Sequence, residues 1–330
     1  MRRAVLSILL GLALAGGAIW IVFLNDLRIV NDRLASAAHV AMTRSGPVAF
    51  ATGGAGPPVL ALHGAGGGYD QGRLLAEAFL PEGQRWIAPS RFGYPGVPMP
   101  ADSSTAAQAD ALAALLDSLG VDVVTVLAMS GGAPPALQFA SRHPDRTQAL
   151  VLLSIAPYAP LTAETQDLPV PLWLYDALFA TDLPFWLALR VSPRALAPMF
   201  DARRDLIAQM TAAEAEFLDA MIAAFLPVTQ RRAGLANEGA AIDPAVPIDP
   251  AGIGVPVLIV HARDDRLTPF STARFTAERI VGVEFMALDT GGHLLLGHHA
   301  VVRRRIAEFL DARSGQPAAP APLLCQGSPR

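Results

Sequence analysis

The chain is predicted to fold as an α/β protein, a mostly parallel sheet flanked by helices, with a helical insertion and an N-terminal transmembrane helix. Three observations predict this. Short apolar or β-branched runs alternate with amphipathic stretches, as the crossover connections of a parallel sheet require. That alternation stops over 156–253 and resumes afterwards. An uncharged run, Ala4 to Leu24, opens the chain; at about 1.5 Å per residue it reaches across the roughly 30 Å hydrocarbon core of a bilayer.

The elements follow in order. Residues 1–24 read as a signal anchor. Ala13-Leu14-Ala15 would suit cleavage of a signal peptide, but apolar sequence continues through Trp20 to Leu24, an extension that a membrane span needs and a signal peptide does not. Arg2 and Arg3 argue for an N-terminus inside the cell, and Arg28 and Arg33 on the far side weaken that bias. The favoured location is a bacterial inner membrane, single-pass, with the folded domain outside the cytoplasm. Cleavage and release is the alternative. Asn25 to about Arg44 reads as a helical neck, within a segment 25–46.

From Pro47 the alternation begins, with strands at Val59–Leu62, Trp86–Ala88, Val123–Leu127 and Ala149–Leu153. Between them lie helices at Leu74–Leu80, at Thr105–Leu119 stopped by Gly120, and at Ala136–His143 stopped by Pro144. The second block has strands Val257–Val260 and Val283–Ala287 and helices Ser271–Ile280 and Val301–Ala312. The core is therefore 47–155 with 254–313, the insertion 156–253, and the Pro/Ala-rich stretch 314–330 a disordered tail.

Composition excludes several chemistries. Of the 330 residues 52% are hydrophobic, enough for a sizeable core, and 25 basic against 29 acidic residues leave no positive excess for a nucleic-acid backbone. Every basic residue is Arg. Without Lys there is no Walker A loop, no Schiff base and no Ser-Lys pair. The one cysteine, Cys325, permits no internal disulfide and no Cys-based zinc site, and it sits in the expected tail as a bystander. No cofactor is expected. Gly64 to Gly68 fails the dinucleotide pattern, because Tyr69 stands where the last Gly belongs.

The sharpest local feature is Ala128-Met129-Ser130-Gly131-Gly132, where a strand runs straight into a helix. A Ser at such a junction sits on a tight turn whose neighbours two positions away must be small, and Ala128 and Gly132 are. The helix N-terminus favours negative charge at the hydroxyl oxygen, and Pro134 and Pro135 fit the first helical turn. A hydroxyl needs a base, and the base an orienting acid. His293 follows the last strand after Gly291-Gly292; Asp264 and Asp265 follow the strand before it. All lie at carboxyl ends of strands, where open α/β sheets place their sites. After the first parallel strand, His63-Gly64-Ala65-Gly66-Gly67-Gly68 can aim a backbone N–H at a reacting carbonyl, beside that of Gly131.

With these residues the sequence resembles the α/β-hydrolase superfamily over about Pro47 to Ala312, outside most of the insertion. The matching segments are HGAGGG at His63, PSRFGYPG at Pro89, AMSGGAP at Ala128, HARDDRLTP at His261 and GGHLLLGH at Gly291. The resemblance implies a Ser-dependent esterase or lipase-like hydrolase with a helical cap. It makes Ser130 the nucleophile, His293 the base and Asp265 the acid, with Asp264 as fallback. The oxyanion donors would be the amides of Gly131 and Ala65, with Gly66 the alternative to the latter. The elbow opens with Ala128 rather than Gly, and His261-Ala262 stands where His-Gly or Gly-Gly is common.

Four other histidines read as non-catalytic. His63 ties down the Gly-rich turn, His261 ends a strand, and His298 and His299 face solvent without the further ligands a metal needs. Trp173, Phe179, Phe185 and Trp186 read as the insertion's own core. The expected substrate is a small hydrophobic ester, brought near the site by the membrane helix. The alternatives are the same triad acting as aminopeptidase (with Glu164 and Asp167 holding an amine), thioesterase, C–C hydrolase or acyltransferase, and a binding protein on the same fold.

Overall fold

The computed structural model describes residues 2–158, 172–240 and 247–313. A single helix, α1 (Arg2–Ala37), leads into a hairpin of β1 (His39–Thr43) and β2 (Gly46–Gly53). The parallel part follows: β3 (Pro58–Leu62), α2 (Tyr69–Phe79), β4 (Arg85–Pro89), α3 (Thr105–Ser118), β5 (Val124–Met129), α4 (Ala133–Arg142) and β6 (Thr147–Leu153). The insertion holds α5 (Leu172–Phe179), α6 (Asp182–Val191), α7 (Arg204–Ile207), α8 (Ala212–Ala223) and α9 (Arg232–Ala240). Then come β7 (Val257–Ala262), α10 (Phe270–Ala277), β8 (Glu284–Leu288) and α11 (His299–Asp311).

The eight strands among the described residues form one sheet in the order β1-β2-β4-β3-β5-β6-β7-β8. The pairings among β3 to β8 are parallel, and β2 joins β4 antiparallel. Central strands carry no polar alternation because both faces are covered. In β6, Ala149, Val151 and Leu153 pack with α2, α11 and insertion residues, while Leu150 and Leu152 pack with α3, α4 and α10. β3 is flanked by β4 on one side and β5 on the other, so the chain reverses its winding there. Leu62 pairs with Ala128, which sets the end of β3 beside the end of β5.

The helices begin where local chemistry supplies their orphan amides. Ser104 caps α3 by accepting from the Ala107 amide at 3.1 Å, a bond that contributes about 1 kcal/mol. Thr211 and Glu214 form a reciprocal capping box on α8. Gly120, with φ 62°, ends α3.

The neck departs from expectation. α1 stays helical without a break to Ala37, and 39–43 then forms an antiparallel edge strand instead of continuing as helix. The alternation His39-Val40-Ala41-Met42-Thr43 with a Gly46 turn at φ 103° carried that signal. The two halves of α1 differ. Residues 2–22 are exposed along an apolar surface that is long and hydrophobic enough to cross a membrane. The second half docks on the body. Phe23 and Leu34 are buried. Asp26 accepts from Trp186 Nε1 at 2.8 Å and Arg190 Nε at 2.9 Å, and Tyr69 donates to the Leu34 carbonyl.

In the insertion, Phe179, Phe185 and Trp186 are buried as its core, whereas Trp173 is 69% exposed. Glu164, Asp167, Cys325 and the 314–330 tail lie outside the described residues.

Candidate active site

β5 ends in a turn that the backbone can make only with small residues around it. Ser130 has φ 53°, the left-handed region that costs an L-residue about 1 kcal/mol or more. A Cβ on Gly132 would stand 2.8 Å from the carbonyl oxygens of both Leu62 and His63. Gly132 is therefore required by the close approach of β3. The Ser130 carbonyl accepts from the Ala156 amide at 3.2 Å, which ties the turn to the end of β6. Ser130 is half-buried, and among the described residues its hydroxyl makes no hydrogen bond.

The loop after β3 lies against this turn. A Cβ on Gly64 would come 3.1 Å from Ser130 Cβ, and one on Gly131 would come 3.1 Å from the Ala65 amide nitrogen. The Gly66 N–H instead donates to the Tyr94 hydroxyl at 3.1 Å. Of the two candidate donors beside Gly131, only Ala65 therefore faces the Gly131 position without a partner of this kind.

His63 braces this loop, as expected from the sequence. Its Nε2 accepts from the Arg91 amide at 3.0 Å, so Nδ1 carries the proton and donates to the Gly64 carbonyl at 2.7 Å. Burial, then the Arg91 charge, hold its pKa well below the ordinary imidazole value. Arg91 Nε and Nη2 donate to the carbonyls of His63 and Gly64, each at 3.2 Å. The segment PSRFGYPG contains Arg91 and Tyr94, and the sequence alone assigns neither a role. The only available signal was a lone Arg between two Gly-rich turns.

At the other end, Asp265 and His293 meet. His293 Nδ1 donates to Asp265 Oδ2 at 2.9 Å, and the Asp265 side chain is fully buried. Oδ1 accepts from the amides of Leu267 and Thr268, both at 2.9 Å, and Oδ2 also accepts from Thr268 Oγ1 at 2.7 Å. Burial raises the Asp265 pKa, but His293 and these bonds overcome it and hold the carboxyl below its usual range. For His293 burial works downward, and the Asp265 charge and hydrogen bond outweigh it, so the imidazole sits above its ordinary pKa.

Asp264 goes elsewhere. Its Oδ1 accepts from the Gly292 amide at 2.9 Å and its Oδ2 pairs with Arg203 of the insertion. Gly291 and Gly292, at φ 133° and 57°, form the turn that presents His293. A Cβ on Gly292 would stand 3.0 Å from the Asp201 carbonyl oxygen. Thr268, Asp201 and Arg203 were not singled out from the sequence; short polar residues in loops give no signal until the fold assembles them.

His261 is buried at the end of β7, with Nε2 donating to the Thr268 carbonyl at 3.0 Å. The expectation that His299 faces solvent is corrected. It is 7% exposed, packs between Phe79 and Phe217 at 4.5 and 4.9 Å, and donates through Nε2 to the Leu294 carbonyl at 2.9 Å. Its backbone amide, in the first turn of α11, takes Glu214 of the insertion as acceptor, which draws the ring inward. His298 is half-buried, 3.3 Å from Thr290 Oγ1. No cluster of His, Cys, Asp or Glu suited to a metal occurs among the described residues.

Comparison with known proteins gives matches across this region. A family profile described as the alpha/beta hydrolase fold matches residues 57–300. The uncharacterized hydrolase YcgS of Bacillus subtilis is 29% identical over 271 residues, spanning 77% of this chain and 91% of that protein. A 2-hydroxymuconate semialdehyde hydrolase of Pseudomonas sp. is 28% identical over 261 residues, 75% and 84% of the two chains. Among solved structures, an alpha/beta hydrolase fold protein from Nakamurella multipartita superposes with a TM-score of 0.73 at 30% identity, covering 84% of this chain and 99% of that one.

Proposed function

The chain belongs to the alpha/beta hydrolase family and is an enzyme, and from that premise we propose that it is a serine hydrolase of hydrophobic, uncharged esters. The observation that carries the proposal is the Asp265–His293 pair at 2.9 Å on the carboxyl edge that also bears Ser130. A buried carboxylate on Nδ1 fixes the imidazole tautomer that leaves Nε2 free to take a proton.

In this reading the Ser130 hydroxyl turns to His293 when substrate enters, since catalytic hydrogen bonds commonly tighten only in the complex. Ser130 Oγ attacks the acyl carbon and its proton passes to His293 Nε2. The carbonyl oxygen becomes an oxyanion held by the amides of Gly131 and Ala65. His293 then protonates the leaving alkoxide, which departs as alcohol and leaves an acyl-Ser130. Water repeats the sequence, losing a proton to His293 and releasing the acid. Asp265 stays ionised throughout and stabilises the imidazolium.

Ser130→Ala tests this directly: hydrolysis of p-nitrophenyl esters should vanish while the thermal melt is kept. Retained turnover would refute the nucleophile. A second reading, hydrolysis of a C–C bond by the same residues, is favoured by the similarity to the 2-hydroxymuconate semialdehyde hydrolase. A panel of esters, thioesters, aminoacyl anilides and vinylogous diketones separates the two.

The exposed apolar half of α1 further supports a membrane anchor, with the domain held near lipid-soluble substrates. Alkaline carbonate extraction of membranes should leave the full chain in the pellet. Recovery in the supernatant would refute the anchor.

A further inference from the structure

Glu238 lies on α9, in the insertion, and its two carboxylate oxygens have different surroundings. Oε1 accepts from the Arg91 guanidinium and from the Tyr94 hydroxyl. Oε2 has no hydrogen bond among the described residues and points at Gly131. A Cβ on Gly131 would stand 2.6 Å from Glu238 Oε2 and 3.1 Å from the Ala65 amide nitrogen. The missing side chain of Gly131 thus leaves a space, and a carboxylate oxygen from the insertion fills it beside the two backbone amides that the proposed mechanism uses.

The placement is firm on the protein side. α9 lies directly on the loop after β4. The Gly234 amide donates to the Gly93 carbonyl at 3.0 Å, and a Cβ on Gly234 would come 2.5 Å from ring atoms of Tyr94. The Arg91 side chain is 4% exposed and is itself fastened to the carbonyls of His63 and Gly64. The same guanidinium therefore holds the Gly-rich loop and the plugging carboxylate.

We infer that Glu238 gates the oxyanion site, standing in the closed structure where the acyl oxygen of a substrate must enter. An anionic oxygen is the ligand such a pair of amides attracts. It also repels a second negative charge forming within a few ångströms. Acylation of Ser130 then requires Oε2 to withdraw, either by rotation of the carboxylate or by a shift of α9. The inference rests on the reading of Ser130 as nucleophile and of Gly131 and Ala65 as oxyanion donors.

The test uses the full chain in detergent micelles and two variants that keep Arg91 a partner. Glu238→Asp keeps the charge but shortens the reach to Gly131. Glu238→Gln keeps an acceptor for Arg91 and Tyr94 but turns an amide donor toward two amide donors. Both should label with a fluorophosphonate about tenfold faster than the wild type, and gain the same factor in kcat/KM on p-nitrophenyl acetate, the gain expected when about 1.4 kcal/mol of preference for the closed position is removed. Thermal melts identify each variant as folded. Labelling unchanged or slower in a folded variant overturns the gate. No labelling of any chain, or labelling that survives Ser130→Ala, overturns instead the nucleophile on which the gate depends.

Discussion

Replacing Asp265 by Asn changes one atom of a fully buried side chain and should disable the site through its neighbours. The amides of Leu267 and Thr268 both donate to Oδ1 at 2.9 Å, so the oxygen of an Asn must face them. Its NH2 then falls at the Oδ2 position, 2.9 Å from His293 Nδ1. A donor there forces Nδ1 to accept and puts the imidazole proton on Nε2, the atom that must be bare to receive the Ser130 proton. The wrong tautomer costs about 10⁴ in kcat in such triads, about 5 kcal/mol of barrier. Asp264→Asn keeps its bond to the Gly292 amide, and Arg203 keeps Asp201 at 2.7 Å; kcat should change by less than about tenfold, the span of a partly exposed ion pair. The assay is kcat on a p-nitrophenyl ester for both variants, with melts to confirm folding. The same pair carries a pH signature. The rate should rise with pH through a step above the ordinary imidazole range, because His293 is held above that range and only the neutral ring is a base. In Asp265→Asn that step should move to lower pH, since burial is then opposed only by the Asp201 charge. An Asp264→Asn variant as impaired as Asp265→Asn would refute the reasoning.

Other expectations follow from the packing around the site. His63 is buried with a depressed pKa, so the unfolded chain binds more protons below pH 6.5, and stability present above that value is lost as pH falls, at up to about 1.4 kcal/mol per pH unit. Urea midpoints between pH 7 and 5 should show this slope, reduced in His63→Gln; an unaltered slope would show that other groups carry it. Gly132→Ala pushes a methyl to 2.8 Å from two carbonyl oxygens and should cost about 1–3 kcal/mol with loss of activity, whereas a wild-type melt and rate would mean that the elbow is loose. Arg231, wholly buried, donates to Asp70 Oδ2 at 2.7 Å and to the Phe225 carbonyl at 3.1 Å; Arg231→Met should cost about 3–5 kcal/mol in denaturant unfolding by leaving those acceptors unpaired, and a shift under about 1 kcal/mol would contradict that view.

Much of this protein is written in local patterns. The strands β3, β5, β6 and β7 are built on apolar runs because a parallel sheet buries both faces, and such runs are readable without neighbours. The Ser130 turn is readable because it needs Ala128 and Gly132 on either side, and the exposed half of α1 because length and hydropathy alone decide what can cross a bilayer. What local pattern cannot hold is any choice between equivalent groups at a distance. Asp264 and Asp265 are adjacent and alike; only the packing of the Gly291-Gly292 turn against Asp201 and Arg203 sends one to a backbone amide and the other to His293. Gly66 and Ala65 are neighbours in one loop, and only the Tyr94 hydroxyl, from another loop, takes the Gly66 amide. His299 looked like a solvent residue until Glu214 of the insertion supplied its amide with an acceptor. Glu238 had no sequence signal at all, since its meaning comes from Arg91, Tyr94 and Gly131, each far away in the chain. Hydrophobic periodicity is a property of a segment, whereas a hydrogen bond between distant side chains exists only once the intervening chain has folded them together.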